Sequence, residues 1–462
     1  MSTSTSSQAS AAPSVAATTA AHTAATAAAH TANPVPPSGP GGRYARLPLL
    51  AGKGFIPLGL FARLPLAMLT VGALTLVTAV TGSYAVGGAA AGAVGIGSAL
   101  GAPVLGAWAD RLGQRPVLLF AAIFNTAAVV ALILTAYLVP AAQDLAAAVP
   151  VFAAAFVAGA SCPQVGPLAR VRWMALTSGA GKAGTARDLD AALSYESTAD
   201  ELTFVLGPAL VGILASLITP WLPLALAAAL TLTLVPAFAV HRTHLAVPLR
   251  VRRRAVSDAG PRGADGTGMA AVALPFLAMV CMGTFFGSTQ TGLSSFSASF
   301  ATAEIAGLLY AVMGLSSAAA ALSVAYWPQG FALSARWMVS AVLMAGLAVL
   351  LLLPASALPM VLVLLVLGLP VGPLMVTVFA IGGAIAPAGR LGTVMTALAS
   401  GIVAGTALGS SVAGQLAQHQ GYSAAFMVPV CSAAALFVLG AAAAVVLRNG
   451  AMRRKPADAG SR

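Results

Sequence analysis

The sequence predicts an all-α membrane protein with twelve transmembrane helices arranged as two pseudo-symmetric six-helix bundles. Three observations lead there: a composition too apolar for water, twelve apolar runs of spanning length, and basic residues confined to alternate loops. Of 462 residues, 59% are hydrophobic and only 7% charged. A water-soluble domain carries roughly 25% charged residues. Most of this protein's surface must therefore face lipid.

A membrane helix needs about 20 apolar residues to cross a hydrocarbon core about 30 Å thick. In the first half that ruler marks Pro57–Val80, Tyr84–Trp108, Pro116–Leu138, Leu145–Leu168, Ser197–Ile218 and Trp221–Val240. In the second it marks Met269–Thr291, Ala303–Trp327, Trp337–Leu353, Leu358–Ile385, Leu391–Leu416 and Tyr422–Leu447.

Charge tests the count. With the N-terminus inside, all 23 Lys and Arg fall on the inner side. They lie before the first span and at its start (Arg43, Arg46, Lys53, Arg63), after the second (Arg111, Arg115) and after the fourth (Arg170, Arg172, Lys182, Arg187). The rest occupy the central loop, Arg336, Arg390 and the C-terminal tail, and the outer loops have none. Positive loops translocate poorly, so both termini are expected in the cytoplasm. The net charge of +12 then reports topology and contact with anionic lipid. No folded basic face is left for nucleic acid.

The expected organisation is a disordered Ala/Thr/Ser/Pro tail over 1–42, a six-helix bundle over 43–240 and a basic cytoplasmic linker over 241–268. A second bundle follows over 269–447, with a basic tail over 448–462. The Ala- and Gly-rich composition, with Arg far exceeding Lys, suggests a GC-rich bacterial genome and a plasma-membrane location. Cys162, Cys281 and Cys431 lie in apolar runs and read as packing residues. The halves echo each other. Val165-Gly166-Pro167-Leu168 recurs as Val371-Gly372-Pro373-Leu374, and Leu206-Gly207 with Gly212 as Leu408-Gly409 with Gly414. Such repeats are the mark of a duplicated unit with a cleft between its copies.

Between the second and third spans stands Gly106-Ala107-Trp108-Ala109-Asp110-Arg111-Leu112-Gly113-Gln114-Arg115. This resembles the signature loop of the major facilitator superfamily, in the place where that family carries it. Spans one to twelve share the resemblance; neither tail does. It implies a secondary transporter working by alternating access, a monomer, and a latch between the halves formed by Gly106, Asp110, Arg111, Gly113 and Arg115. Gln114 departs from the family, which usually has a basic residue there. The corresponding loop of the second half, Trp327 to Arg336, lacks the pattern.

Glu196, Asp200 and Glu201 cluster at the predicted inner end of the fifth span. Glu196 and Asp200 are four apart and share a helix face, where like charges raise each other's proton affinity. All three are proton-coupling candidates, with pairing to Arg170, Arg172 or Arg187 as the alternative. Arg63 either snorkels at the first span's inner end or points into the cleft. Asn125, Gln164, Gln290 and Tyr310 are uncharged polar groups at mid-depth, read as cavity residues or as helix-to-helix hydrogen bonds. By the resemblance, spans one, four, seven and ten line the cavity, which favours Gln164 and Gln290. Leu206-Gly207-Pro208 through Gly212 partly matches the family's exporter motif, with Thr203 and Val211 in place of two glycines. Pro208 kinks the helix in either case.

Ser178 to Ala183 looks faintly like a phosphate loop but lacks its first glycine, at Leu176, and its final Ser/Thr, at Ala183, and no soluble domain could hold ATP. No cofactor, metal site or enzymatic motif is expected. The reading is proton-coupled efflux of a small molecule. Proton-coupled uptake and a transport-inactive sensor or scaffold are the alternatives.

Overall fold

The computed structural model describes residues 42–138, 147–177, 185–247, 265–299 and 305–454. The tail expected over 1–42 falls almost wholly outside them, as do 248–264 of the linker and the last eight residues. The Ser178–Ala183 segment is outside as well.

Twelve helices are long and apolar enough to span a membrane: α1 Phe55–Thr81, α2 Val86–Leu112, α3 Gln114–Leu138, α4 Val149–Thr177, α5 Ala186–Leu217 and α6 Leu222–Val240. The second half holds α7 Val272–Ala298, α8 Ala306–Tyr326, α9 Leu333–Leu352, α10 Ala357–Ile385, α11 Leu391–Gln420 and α12 Tyr422–Val445. No strand occurs among the described residues. The helix of α12 runs on to Arg454.

Local chemistry sets the ends. Gly82, at φ 69°, closes α1, and the Ser83 hydroxyl accepts from the Val86 amide to start α2. Thr185 and Asp188 form a capping box that opens α5. Gly113 turns the chain at φ 93° between α2 and α3. An L side chain at that φ is strained.

The two halves are built alike. In the first, α1 packs on α5, α2 on α4 and α3 on α6. In the second, α7 packs on α11, α8 on α10 and α9 on α12. Across the halves, α2 meets α11 and α5 meets α8, again a related pair. One pair of the repeated glycines takes equivalent places. Gly207 lies against the Ala67 backbone of α1, and Gly409 against Thr284 of α7.

Within each half the helices approach backbone to backbone. Gly97 and Gly101 of α2 sit on Phe156 and Ala160 of α4, and Gly159 answers on Val94. Gly283, Gly287, Gly405 and Gly409 do the same for α7 and α11. Without a hydrophobic force between helices in lipid, such close approach supplies the packing energy.

Three elements depart from the sequence ruler. The fourth span was expected to end at Leu168, but α4 continues to Thr177 after a break at residues 161–164 around Pro163. Arg170 and Arg172 are therefore helical and fully buried, not loop residues. The fifth span begins eleven residues earlier than Ser197, at Ala186, so its acids lie within the bundle rather than at its edge. Hydropathy places a boundary where charges start, and here the charges are inside. The first span is interrupted at Ala62–Arg63.

The glycine contacts give a test. Gly101→Val pushes a branched side chain into the Ala160 backbone and should lower stability by about 1–3 kcal/mol. Gly95→Val, which meets nothing within 4 Å, should leave the melting temperature in detergent nearly unchanged.

Candidate functional site

A buried charge cluster forms where α1, α4 and α5 converge. The α1 break puts Arg63 at the N-cap of the helix Leu64–Thr81 and turns its side chain toward α5. Its Nη2 lies 2.5 Å from Glu196 Oε2 and its Nη1 2.8 Å from Asp200 Oδ1. Nη1 also donates to the Glu196 carbonyl at 3.2 Å, and Nε to the Gly59 carbonyl at 2.9 Å. From α4, Arg170 Nη2 reaches Asp200 Oδ2 at 2.7 Å. Trp173 Nε1 donates to Glu196 Oε1 at 2.8 Å. Glu196 and Asp200, which would repel on one helix face, are held together by two guanidinium groups.

Arg63, Gln164, Gly166, Arg170 and Asp200 line a cavity of about 50 Å³ between the halves. Leu66, Phe204, Phe379 and Ile402 form its apolar walls. Arg170 lies 4.0 Å from the Phe379 ring centroid of α10, a cation–π contact across the interface. Gln164 sits in the unwound part of α4 and its amide donates to the Cys162 carbonyl at 2.9 Å.

The remaining candidates scatter. Glu201 follows Asp200 directly, so it points about 100° away around the helix and is buried where α5 crosses α8. Ser317 Oγ donates to its Oε1 at 2.9 Å, and it makes no ion pair with a described residue. Beside it Thr198 Oγ donates to the Ala318 carbonyl at 3.1 Å. Tyr310 of α8 is half-buried and within electrostatic reach of Glu201. Asn125 stays out of the cavity: its amide bridges α3 to Ala158 and Ser161 of α4, at 2.6 and 3.2 Å. Gln290 is exposed on α7. Gly207 packs on α1, while Gly212 meets nothing within 4 Å.

The last turn of α2 docks on the N-terminus of α11. Asp110 Oδ1 accepts from the Gly392 amide at 2.8 Å; Oδ2 accepts from the Thr393 amide and hydroxyl, both at 2.7 Å. A carboxylate there caps orphan amides and meets the positive end of the helix dipole. Gly106 and Gly392 make room: a Cβ on Gly392 would lie 2.6 Å from Asp110 Oδ1. Arg111 and Arg115 are exposed. Asp110 is held by the backbone and hydroxyl of α11 and by neither arginine.

The second half returns a contact of another kind. Asp190, near the start of α5, takes Gln329 Nε2 at 3.0 Å and Arg336 Nη1 at 3.5 Å. Ahead of α1, Arg43 donates to the Ala325 carbonyl at 2.6 Å and Tyr44 to the Leu322 carbonyl at 2.5 Å. These cross-half contacts all gather at the end carrying the basic loops. There Met174 of α4 also presses on Gly383 of α10, leaving a cleft of about 710 Å³ on one side and about 510 Å³ on the other.

Arg172 is the functional-looking residue that sequence reading put in a loop. It is buried with no carboxylate: Nε donates to Gln114 Oε1 at 2.7 Å, and Nη1 to the Phe238 carbonyl at 2.7 Å and Thr243 Oγ1 at 3.0 Å. Gln114 Nε2 in turn reaches the Leu168 carbonyl at 3.3 Å. This accounts for the departure at position 114, because a basic residue there would face a buried cation. Burial and the nearby Arg172 also hold the His241 imidazole, just beyond α6, below its usual range.

No family model matches the sequence, and none of the curated proteins matches it either. The fold does match solved structures. The human organic anion transporter MFSD10 is 20% identical, with TM-score 0.63 over 84% of this chain and 98% of that one. A bacterial homologue of the iron transporter ferroportin, in an outward-facing state, is 14% identical, with TM-score 0.61 over 84% and 98%. The proton:xylose symporter XylE, a major facilitator superfamily protein, is 14% identical, with TM-score 0.61 over 83% and 94%. The fold is that of major facilitator transporters.

Gln114 provides the check on this geometry. Gln114→Lys sets two cations against each other in a buried place and should cost about 3 kcal/mol or more. Gln114→Glu pairs Arg172 and should hold or raise the melting temperature.

Proposed function

We propose that this chain is a secondary transporter that carries a small molecule across the plasma membrane by rocking its two bundles. The observation that carries this reading is how the bundles are joined. Each is rigid within, through glycine-spaced backbone contacts, while the two meet at the basic end largely through hydrogen bonds such as Asp110 to the α11 amides. Contacts of that kind break and reform as units, which a two-state machine requires.

By the charge rule the basic end is cytoplasmic. This conformation is therefore sealed toward the cytoplasm, with Met174 on Gly383 as the plug. Opening that side separates α5 from α8 and exposes Glu201. A charge without a cation is costly to bury there, so Glu201 carries the coupling proton, taking it up or losing it as the interface parts. Glu196 and Asp200 serve differently: both are committed to arginines and hold the cavity floor.

The test is proton movement in inside-out vesicles, read with a pH-sensitive dye against drugs, metabolites, amino acids and sugars. Wild type should show compound-dependent proton flux. Its sign separates export, which the partial exporter motif favours, from uptake. Glu201→Gln should abolish that flux while retaining substrate counterflow. Flux that survives in Glu201→Gln removes the carboxyl from the coupling step. A protein with neither flux nor counterflow for any compound would overturn the transporter reading.

A further inference from the structure

We propose that the cavity floor is an anion site, and that the transported molecule is a small amphipathic organic anion whose acidic headgroup docks on Arg170. This rests on the transporter reading for the movement of the molecule, but not for its binding.

A guanidinium carries five N–H donors and no acceptor. Arg170 is 0% exposed, yet its hydrogen bonding ends with Nη2 on Asp200. Its Nε and Nη1 have no partner. Buried donors of that kind are rare, because desolvating them without a partner costs free energy. The neighbouring Arg63 differs. Its Nε, Nη1 and Nη2 are all engaged. Asp200 is divided between the two arginines, one oxygen each. Arg170 thus has half a carboxylate where Arg63 has one and a half.

Of the two unpartnered Arg170 nitrogens, Nη1 borders the space beside Gly166. At Gly166 a Cβ would lie 3.7 Å from Arg170 Nη1, 3.7 Å from Arg63 Nη1 and 3.2 Å from Asp200 Oδ1. Two guanidinium groups therefore converge on a point that carries no side chain. Asp200, with its side chain 18% exposed against 1–3% for Arg63, Glu196 and Arg170, is the member of the cluster open to the cavity. It can yield Arg170 to an incoming acid.

The size and walls define the ligand. The cavity of about 50 Å³ exceeds the roughly 30 Å³ share of one water and admits a carboxylate-sized headgroup. Leu66, Phe204, Phe379, Ile402 and Val403 around it suit an apolar body. No further acidic side chain lines it. Phe379 belongs to the second bundle and covers the Arg170 guanidinium, so rocking uncovers or covers the anchor. That gives an anion different affinity in the two states, the condition for a transported ligand.

Three molecules of one shape and different charge test the site: benzoate, benzamide and benzylamine, titrated at millimolar concentration against the full chain in nanodiscs. Calorimetry and the melting temperature are the readouts. Benzoate should bind and raise the melting temperature; benzamide and benzylamine should not. Arg170→Gln should weaken benzoate about tenfold or more, and Arg170→Lys should fall between. Arg187→Gln, an exposed position on α5, should change nothing. Since Arg170→Gln also frees Asp200 and can fail to fold, Gly166→Ala gives a second route: it fills the space, removes no charge, and should weaken benzoate in a protein that still melts cooperatively. Equal binding of the three probes, preference for benzylamine, no binding of benzoate, or indifference to both variants overturns the proposal. Those outcomes leave the vesicle assay free to show transport of a neutral or cationic compound, so the two readings fail separately.

Discussion

The Arg63–Glu196–Asp200–Arg170 cluster is the constraint on which the rest of the first bundle depends. Each ion taken out of water costs several kcal/mol after relaxation, and only good geometry with hydrogen bonds on the remaining atoms offsets it. Four charged side chains from three helices must meet within a few ångströms. Straight, evenly spaced helices would not bring them there. The break in α1 at Ala62–Arg63, the unwound turn of α4 at 161–164 and the bare Gly166 are the local distortions that do. Irregular backbone at this depth is tolerated because it is buried in protein and partly satisfied by side chains, as Gln164 does for Cys162.

A second division runs through the structure, between the contacts within each bundle and those between the bundles. Within each bundle, glycines let backbones touch. Between the bundles at the basic end, acceptors meet backbone amides, hydroxyls meet carbonyls, and Met174 meets a glycine. Water can take the place of such polar partners. Asp110 illustrates it well, since its three bonds all go to one helix terminus and would be lost together.

Pseudo-symmetry governs helix placement more strictly than it governs side chains. The pairs α2–α11 and α5–α8 occupy related positions, but their fastenings differ. On one side Asp110, in the last turn of α2, caps α11. On the other, Asp190 of α5 receives Gln329 from the loop before α9 and Arg336 from the first turn of α9. Packing of helices depends on small residues at repeated positions, whereas a polar contact needs only some donor opposite some acceptor, so the second drifts more freely than the first.

What the sequence determined by itself was the number of spans and their division into six and six. Those follow from lipid thickness, backbone hydrogen bonding and charge, which act on each segment separately. The glycine echo at Gly207 and Gly409 was legible for the same reason: a close approach needs a missing side chain wherever it occurs. Only the tertiary structure decided that Arg170 and Arg172 are buried, that Asn125 serves α3 and α4 rather than the cavity, and that Glu201 stands apart from Glu196 and Asp200. A hydropathy ruler treats a charge as a boundary because it cannot see the partner that makes burial tolerable. Asp200 lies 30 residues from Arg170 and 137 from Arg63, and no local pattern records which acid meets which cation. Gln114 shows the same limit, since its residue type made sense only once Arg172 was seen beside it.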